Sequence, residues 1–278
     1  MAKRFGRSTG CVLGGLAAAA LILGGALAVR RWRRMPLADR RLELLAVPVD
    51  PLTMDEVLER IETFIRSRHP HHIFTADSSG IMRARAEPEL LDIVRHADLV
   101  TPDGAGVLLA TRMKGMRLPE RVSGVDLVDR ISALAAREGF HIYLLGASEM
   151  VVQAAAGVLA SRYPGLIIAG IHHGYFKTEE EPRIVRDIAT ARPDVLFVAL
   201  GLSKQELFIH RNFTALGVPV MIGVGGSFDV ISGQLKRAPV WMQRSGLEWL
   251  YRLLQQPSRL PRLAVLPKFM LAAWKSRK

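Results

Sequence analysis

The chain has 278 residues, 49% of them apolar, a formal net charge of +12 and a single cysteine, Cys11. That apolar fraction excludes a disordered chain and supports a sizeable core, and one cysteine excludes both a disulfide framework and a cysteine metal cluster. The charge is uneven: residues 1–41 carry +8 and residues 236–278 carry +9, leaving −5 for the middle, so a mildly acidic body sits between basic ends suited to an anionic surface.

The first element is an uncharged stretch of 22 residues, Ser8 to Val29, long enough to cross a bilayer as a helix. Lys3, Arg4 and Arg7 precede it, and Arg30, Arg31, Arg33, Arg34, Arg40 and Arg41 follow it. The heavier positive charge on the far side predicts a single-pass anchor in the cell (inner) membrane with the body on the cytoplasmic face. The alternative is a cleaved signal peptide ending near Ala26-Leu-Ala28, which the arginines just beyond it oppose. Cys11 lies at the start of the apolar run, where a lipidation cysteine would follow it. Residues 30–50 read as a basic linker broken by Pro36 and Pro48.

Thr53 and Glu56 form a capping-box pair ahead of an apolar face of Val57, Leu58, Ile61, Phe64 and Ile65, which predicts a helix. His71 to Ala76 reads as a strand, leaving through Asp77-Ser-Ser-Gly80. Pro88 opens a helix to about His96, and Asp98 to Thr101 is a strand followed by Pro102-Asp-Gly-Ala-Gly106 and a helix. Ser123 starts a helix stopped by Gly139, His141 to Gly146 is a strand, and Ser148 caps a helix to about Tyr163. Leu166 to Ile171 is a strand and Glu179 to Ala191 a helix. Two charge-free, β-branched runs follow, Asp194 to Leu200 and Val218 to Val224, with a helix from Ser203 to about Ala215 between them. Six strands alternating with helices predict an α/β fold, a Rossmann-like, mostly parallel sheet with helices on both faces.

From Pro239 the character changes. Trp241, Trp249 and Leu250 mix with Arg244 and Arg252, and Pro257, Pro261 and Pro267 divide the segment into short helices. Residues 239–256 suit a membrane surface and a helical pair packed on the sheet equally well. Residues 260–278, with Phe269, Leu271 and Trp274 beside Lys268 and Lys275, read as a basic amphipathic membrane-binding segment. The expected organisation is an anchor and linker over 1–41, an α/β catalytic domain over 42–238 and a helical membrane-associating appendage over 239–278. Apolar surface left by that appendage is compatible with a dimer or trimer.

The chemistry starts from what is missing. Adjacent pairs His71/His72 and His172/His173 cannot face one metal from a strand. The glycines at 104–106 and 223–226 do not complete a dinucleotide fingerprint, and there is no Walker A sequence or Gly-x-Ser-x-Gly elbow. The basic residues flank apolar segments instead of forming a patch with stacking aromatics, so no nucleic acid partner is expected. What remains is a set of polar side chains at strand ends: Thr75, Asp77, Asp103, Gln205 and Asp229. Ligands of open parallel sheets sit outside the carboxyl ends of the strands, and a carboxylate there serves as a general base or binds sugar hydroxyls. Each aspartate taken alone fits an Asx-turn or helix cap better than a site, and it is five polar residues on one edge of the sheet that point to a site.

The motifs Ala97-Asp-Leu-Val-Thr-Pro-Asp-Gly-Ala-Gly-Val107, Arg121-Val-Ser-Gly-Val-Asp126, Leu200-Gly-Leu-Ser-Lys-Gln-Glu206, Gly223-Val-Gly-Gly-Ser-Phe-Asp229, Arg237-Ala-Pro239 and Gly246-Leu-Glu-Trp-Leu-Tyr-Arg252 occur in this order. Together they resemble the WecG/TagA/CpsF glycosyltransferases. The resemblance implies transfer of an N-acetylmannosamine-type or related hexose from a UDP donor to a polyprenyl-diphosphate-linked sugar, with inversion and with no metal or other cofactor. It implies Asp103 as the base; Thr75, Asp77, Arg121, Gln205 and Asp229 as site residues; and Arg252, Arg259 and Arg262 as tail arginines that meet diphosphate. Anionic lipids are the further expected partner. Two features depart from the family: Asp77 stands where the family usually has Asn, and the N-terminal span is not typical. Asp77 also leaves open a non-catalytic, membrane-tethered sugar-nucleotide-binding or scaffold protein of the same fold.

Overall fold

The structure, a computed structural model, describes residues 41–244, 248–255 and 265–276. The predicted span over 8–29 lies outside them. Among the described residues no helix is long and apolar enough to cross a membrane.

The first described element is a hairpin where a linker is expected: β1 (Leu42–Leu44) pairs antiparallel with β2 (Val47–Val49). Its two-residue loop, Leu45 and Ala46, has φ of 55° and 70°, the left-handed pair that a tight hairpin turn demands. Leu44, Val47 and Val49 are fully buried, so packing holds a turn whose residues do not favour it.

Helix α1 (Met54–Ser67) forms as the sequence predicts, with both hydrogen bonds of the Thr53/Glu56 capping box in place and Val57, Ile61, Phe64 and Ile65 buried. β3 (His71–Ala76) follows, and Asp77 at once caps α2 (Ser78–Ala86), a helix the sequence reading lacks. Next come α3 (Pro88–Arg95), β4 (Leu99–Pro102), α4 (Ala105–Met113) and α5 (Gly124–Glu138). They lead to β5 (His141–Gly146), α6 (Glu149–Arg162), β6 (Ile167–His172), α7 (Glu181–Ala191) and β7 (Val195–Ala199). The helix predicted over 203–215 is two pieces, α8 (Lys204–Arg211) and α9 (Phe213–Leu216), divided where the Asn212 amide bonds back to the Phe208 carbonyl. β8 (Val220–Gly223), α10 (Ser227–Ile231), α11 (Val240–Arg244), α12 (Glu248–Gln255) and α13 (Val265–Lys275) complete the chain.

The six longer strands make one sheet in the order β4-β3-β8-β7-β5-β6, every pair parallel. All the carboxyl ends therefore share one edge. Both faces are covered, as the charge-free strands require. Leu196, Val198 and Met221 pack with α7, α8 and α9. The alternate residues Val195, Phe197 and Ile222 are also fully buried, on the side where α1 and α5 meet the sheet.

The last helix, read in the sequence as part of a membrane-surface segment over 260–278, also packs into the core. Phe269 and Ala273 are fully buried in one cluster with Leu44, Val47, Phe74, Ile81 and Val107, and α13 lies against α2 and α4. Pro267 does not break it, because it occupies the first turn, where no intrahelical N–H bond is lost. An amphipathic stripe satisfies a core and a bilayer equally well; here the core takes it, and Leu271 and Trp274 remain on the outer face.

Candidate functional site

Five of the predicted site residues, Thr75, Asp77, Asp103, Gln205 and Asp229, lie at the carboxyl edge of four neighbouring strands. Thr75 is the penultimate residue of β3 and Asp77 follows its end. Asp103 follows β4, Gln205 is in the first turn of α8 after β7, and Asp229 is in α10 just after β8. Arg121 approaches from the segment before α5, whose Val122 N–H bonds to the Pro102 carbonyl at 2.9 Å.

These tips are bonded together. The Thr75 hydroxyl donates to the Gly223 carbonyl at 2.8 Å, tying β3 to β8. Gly124, the first residue of α5, donates its N–H to Asp103 Oδ2 at 3.1 Å. Gly124 also sits so close to Val224 and Ser227 that a Cβ there would lie 3.2 Å from Ser227 Oγ. Asp103 is thus linked, through the start of α5, to the beginning of α10, the helix that carries Asp229. Asp77 accepts the Gly80 N–H at 2.5 Å, the cap of α2. That cap is a structural role, and a carboxylate serves it as well as an amide.

Gln205 is nearly fully buried, and its Oε1 accepts the Gly225 N–H at 3.0 Å. Its Nε2 donates to Glu206 Oε1 at 2.9 Å. Glu206 is 0% exposed, and its other oxygen lies 2.5 Å from His72 Nε2. Sequence reasoning gave His72 no role beyond rejecting it as a metal ligand. His71 turns the other way, stacking on Phe64 with ring centroids 3.9 Å apart. Among the described residues no group of three or more His, Cys, Asp or Glu side chains is arranged to hold a metal ion. The turn that delivers Gln205 is strained, with Ser203 at φ 66° and its hydroxyl donating to Glu87 Oε2 at 3.1 Å.

A second polar group flanks this edge. Arg121 Nη1 donates to Glu248 Oε2 of α12 at 2.8 Å. Arg237 Nη2 donates to Asp126 Oδ1 at 2.6 Å, and the Ser123 hydroxyl donates to Asp126 Oδ2 at 2.6 Å. At the far end of α12 the Gln255 side chain bonds both backbone groups of Lys236, at 2.9 and 2.8 Å. α12 is therefore fastened to the body at both ends. Arg252 lies in α12 one helical turn after Glu248. Arg259 and Arg262 fall outside the described residues.

Residues 42–278 match a family profile described as Glycosyl transferase WecG/TagA/CpsF family. A Bacillus subtilis (strain 168) protein named N-acetylglucosaminyldiphosphoundecaprenol N-acetyl-beta-D-mannosaminyltransferase is 35% identical over 230 residues, 83% of this chain and 86% of that protein. A Staphylococcus aureus (strain MW2) protein of the same name is 34% identical over 240 residues, 86% of this chain and 94% of that protein.

Proposed function

The chain belongs to the WecG/TagA/CpsF family of glycosyl transferases, and from that premise we propose that it transfers an N-acetylmannosamine-type hexose from a UDP donor to an undecaprenyl-diphosphate-linked N-acetylglucosamine. The observation that carries this reading is the meeting of Thr75, Asp103, Gln205 and Asp229 on the carboxyl edge of four adjacent parallel strands.

In the proposed reaction Asp103 removes the proton from the acceptor hydroxyl. The hydroxyl oxygen attacks the anomeric carbon from the face opposite the diphosphate, the bond from that carbon to the phosphate oxygen breaks, and UDP leaves. A base at that position speeds such a step by about 10²–10⁴-fold. The Gly124 contact fixes the orientation of the Asp103 carboxylate. Positive charge to offset the negative charge that develops on the departing diphosphate comes from arginine, whose fork fits phosphate oxygens. Arg121, Arg252, Arg259 and Arg262 are the proposed sources, and no metal ion is invoked. Arg121 already faces Glu248 at 2.8 Å, so it presents its charge as part of a pair with α12.

Because the acceptor is lipid-borne, we place the enzyme at the cytoplasmic face of the membrane. The uncharged apolar sequence of 8–29, the basic ends, and the outward Trp241, Leu254, Leu271 and Trp274 support that placement. The test is a screen of UDP-hexoses for UDP release with a short polyprenyl-diphosphate N-acetylglucosamine acceptor. Release that requires both UDP-N-acetylmannosamine and the acceptor is the expected result. Donor binding without consumption under any acceptor would favour the scaffold reading instead.

A further inference from the structure

We infer that Glu206 and His72 are positioning residues for the transfer, holding the Gln205 amide in a single orientation; the inference rests on the proposed sugar transfer. Three side chains form a continuous buried line from the interior to the strand edge. His72, Glu206 and Gln205 are 6%, 0% and 3% exposed. The contacts along it are 2.5, 2.9 and 3.0 Å, from His72 to Glu206, Glu206 to Gln205, and Gln205 to Gly225.

The chemistry of the line fixes its direction. A 2.5 Å approach between a ring nitrogen and a carboxylate oxygen requires a proton between them, since two bare acceptors repel. The carboxylate is acceptor-only, so Glu206 Oε1 must face the Gln205 NH2 and not its carbonyl. The Gly225 N–H is donor-only, so it must face Gln205 Oε1. Both ends demand the same orientation. Among the described residues the amide's second N–H meets no acceptor, and it is the group left for a bound sugar or phosphate oxygen. Flipping the amide would put a carbonyl against the carboxylate and an NH2 against the Gly225 N–H, and would offer an acceptor where the ligand needs a donor.

The packing shows how tightly the line is held. A Cβ on Gly223 would lie 2.2 Å from Glu206 Oε1 and 2.4 Å from Gln205 Nε2. Gly223 also takes the Thr75 hydroxyl on its carbonyl. Glu206 thus bonds Gln205 and packs against Gly223, with no exposed surface of its own. A polar pair this deeply buried is costly, and a core of apolar residues is often as stable. That cost is borne next to the site because the carboxylate offers two acceptor oxygens that no apolar or amide side chain supplies.

The experiment is a double-mutant cycle on the full chain, reading kcat for UDP release with Glu206→Gln, Gln205→Ala and both. A glutamine at 206 has one acceptor and one donor, so it cannot receive His72 and Gln205 together. Glu206→Gln alone is expected to lower kcat about tenfold or more, and to change it less than about twofold in the Gln205→Ala background. Equal losses in both backgrounds overturn the inference, because a purely structural role acts whether or not Gln205 is present. If Glu206→Gln fails to fold, His72→Gln and His72→Leu decide. The first keeps an N–H donor for Glu206 and is expected to retain most of the turnover; the second removes it and is expected to lose it. Equal kcat in the two overturns the inference. A wild-type enzyme that consumes no donor overturns the sugar-transfer reading beneath it, a failure distinct from additivity in an active enzyme.

Discussion

The two edges of the central sheet both carry aspartates, and the difference between them separates structure from chemistry. Away from the carboxyl edge, Asp194 is 6% exposed and closes off the start of β5 by accepting the His141 N–H at 2.8 Å, with Arg68 at 2.5 Å on its other oxygen. Asp98, ahead of β4, accepts the His72 N–H at 2.8 Å. Asp50 is 1% exposed and accepts the Val100 N–H at 2.7 Å. These carboxylates satisfy backbone donors of the sheet itself. On the carboxyl edge Asp103 and Asp229 are only half-buried and stand on loops and short helices. Asp103 faces the first N–H of α5, not a strand. Asp77 is the intermediate case, a helix cap on the functional edge. The same residue type therefore ties strand backbones together at one edge and stands on the loops and short helices after the strands at the other.

Substitutions sharpen this division. The largest effect on turnover is expected from Asp103→Asn, a loss of about 10²–10⁴-fold with the melting temperature little changed; near-normal turnover would remove Asp103 as the base. The largest effect on stability is expected from Phe269→Ala in α13, about 3–5 kcal/mol by denaturant unfolding. A loss under about 1 kcal/mol would show that α13 does not belong to the core. Asp194→Ala leaves the buried His141 N–H without its acceptor and is expected to cost about 1–3 kcal/mol, with kcat per folded molecule unchanged. A kcat deficit there would blur the contrast between the edges.

The smallest effect concerns Glu138, the last residue of α5, three positions before the start of β5. The hydrogen bond from Arg137 at 2.8 Å, with Arg66 at 3.1 Å on the other oxygen, holds its carboxyl below the usual range. A depressed carboxyl pKa stabilises the fold above its unfolded value, and that gain is lost as the pH falls through the folded one. Glu138→Gln is expected to lower the melting temperature slightly at neutral pH and to match wild type in strong acid. A difference that grows on acidification would contradict this assignment.

Much of the frame was legible in the sequence because its signals are local. The Thr53/Glu56 capping box, the αL stop at Gly139 and the apolar runs of β3, β5, β7 and β8 each depend on neighbours in the chain. The β1–β2 hairpin was not legible: Leu45 and Ala46 adopt positive φ with none of the Asn or Gly that announces such a turn. α2 was hidden because Asp77 reads as a strand exit and Gly80 weakens the helical pattern behind it. The stripe of α13 fits a bilayer or a core, and only its packing against the hairpin decides. Among site residues, placing Thr75, Asp103, Gln205 and Asp229 on one edge followed from parallel topology alone. The His72–Glu206 contact joins residues 134 apart in the sequence. Its one trace is an ionisable side chain within an apolar strand.

The central claim is that the nucleotide sugar meets the carboxyl edge, and hydrogen exchange with and without saturating UDP tests it most directly. The account predicts slowed exchange at residues 75–80, 103–106, 201–206 and 223–229, with the starts of the strands around His141 and Leu99 unchanged. Protection confined to those starts, or bound UDP with no change at the four carboxyl-edge segments, would contradict it.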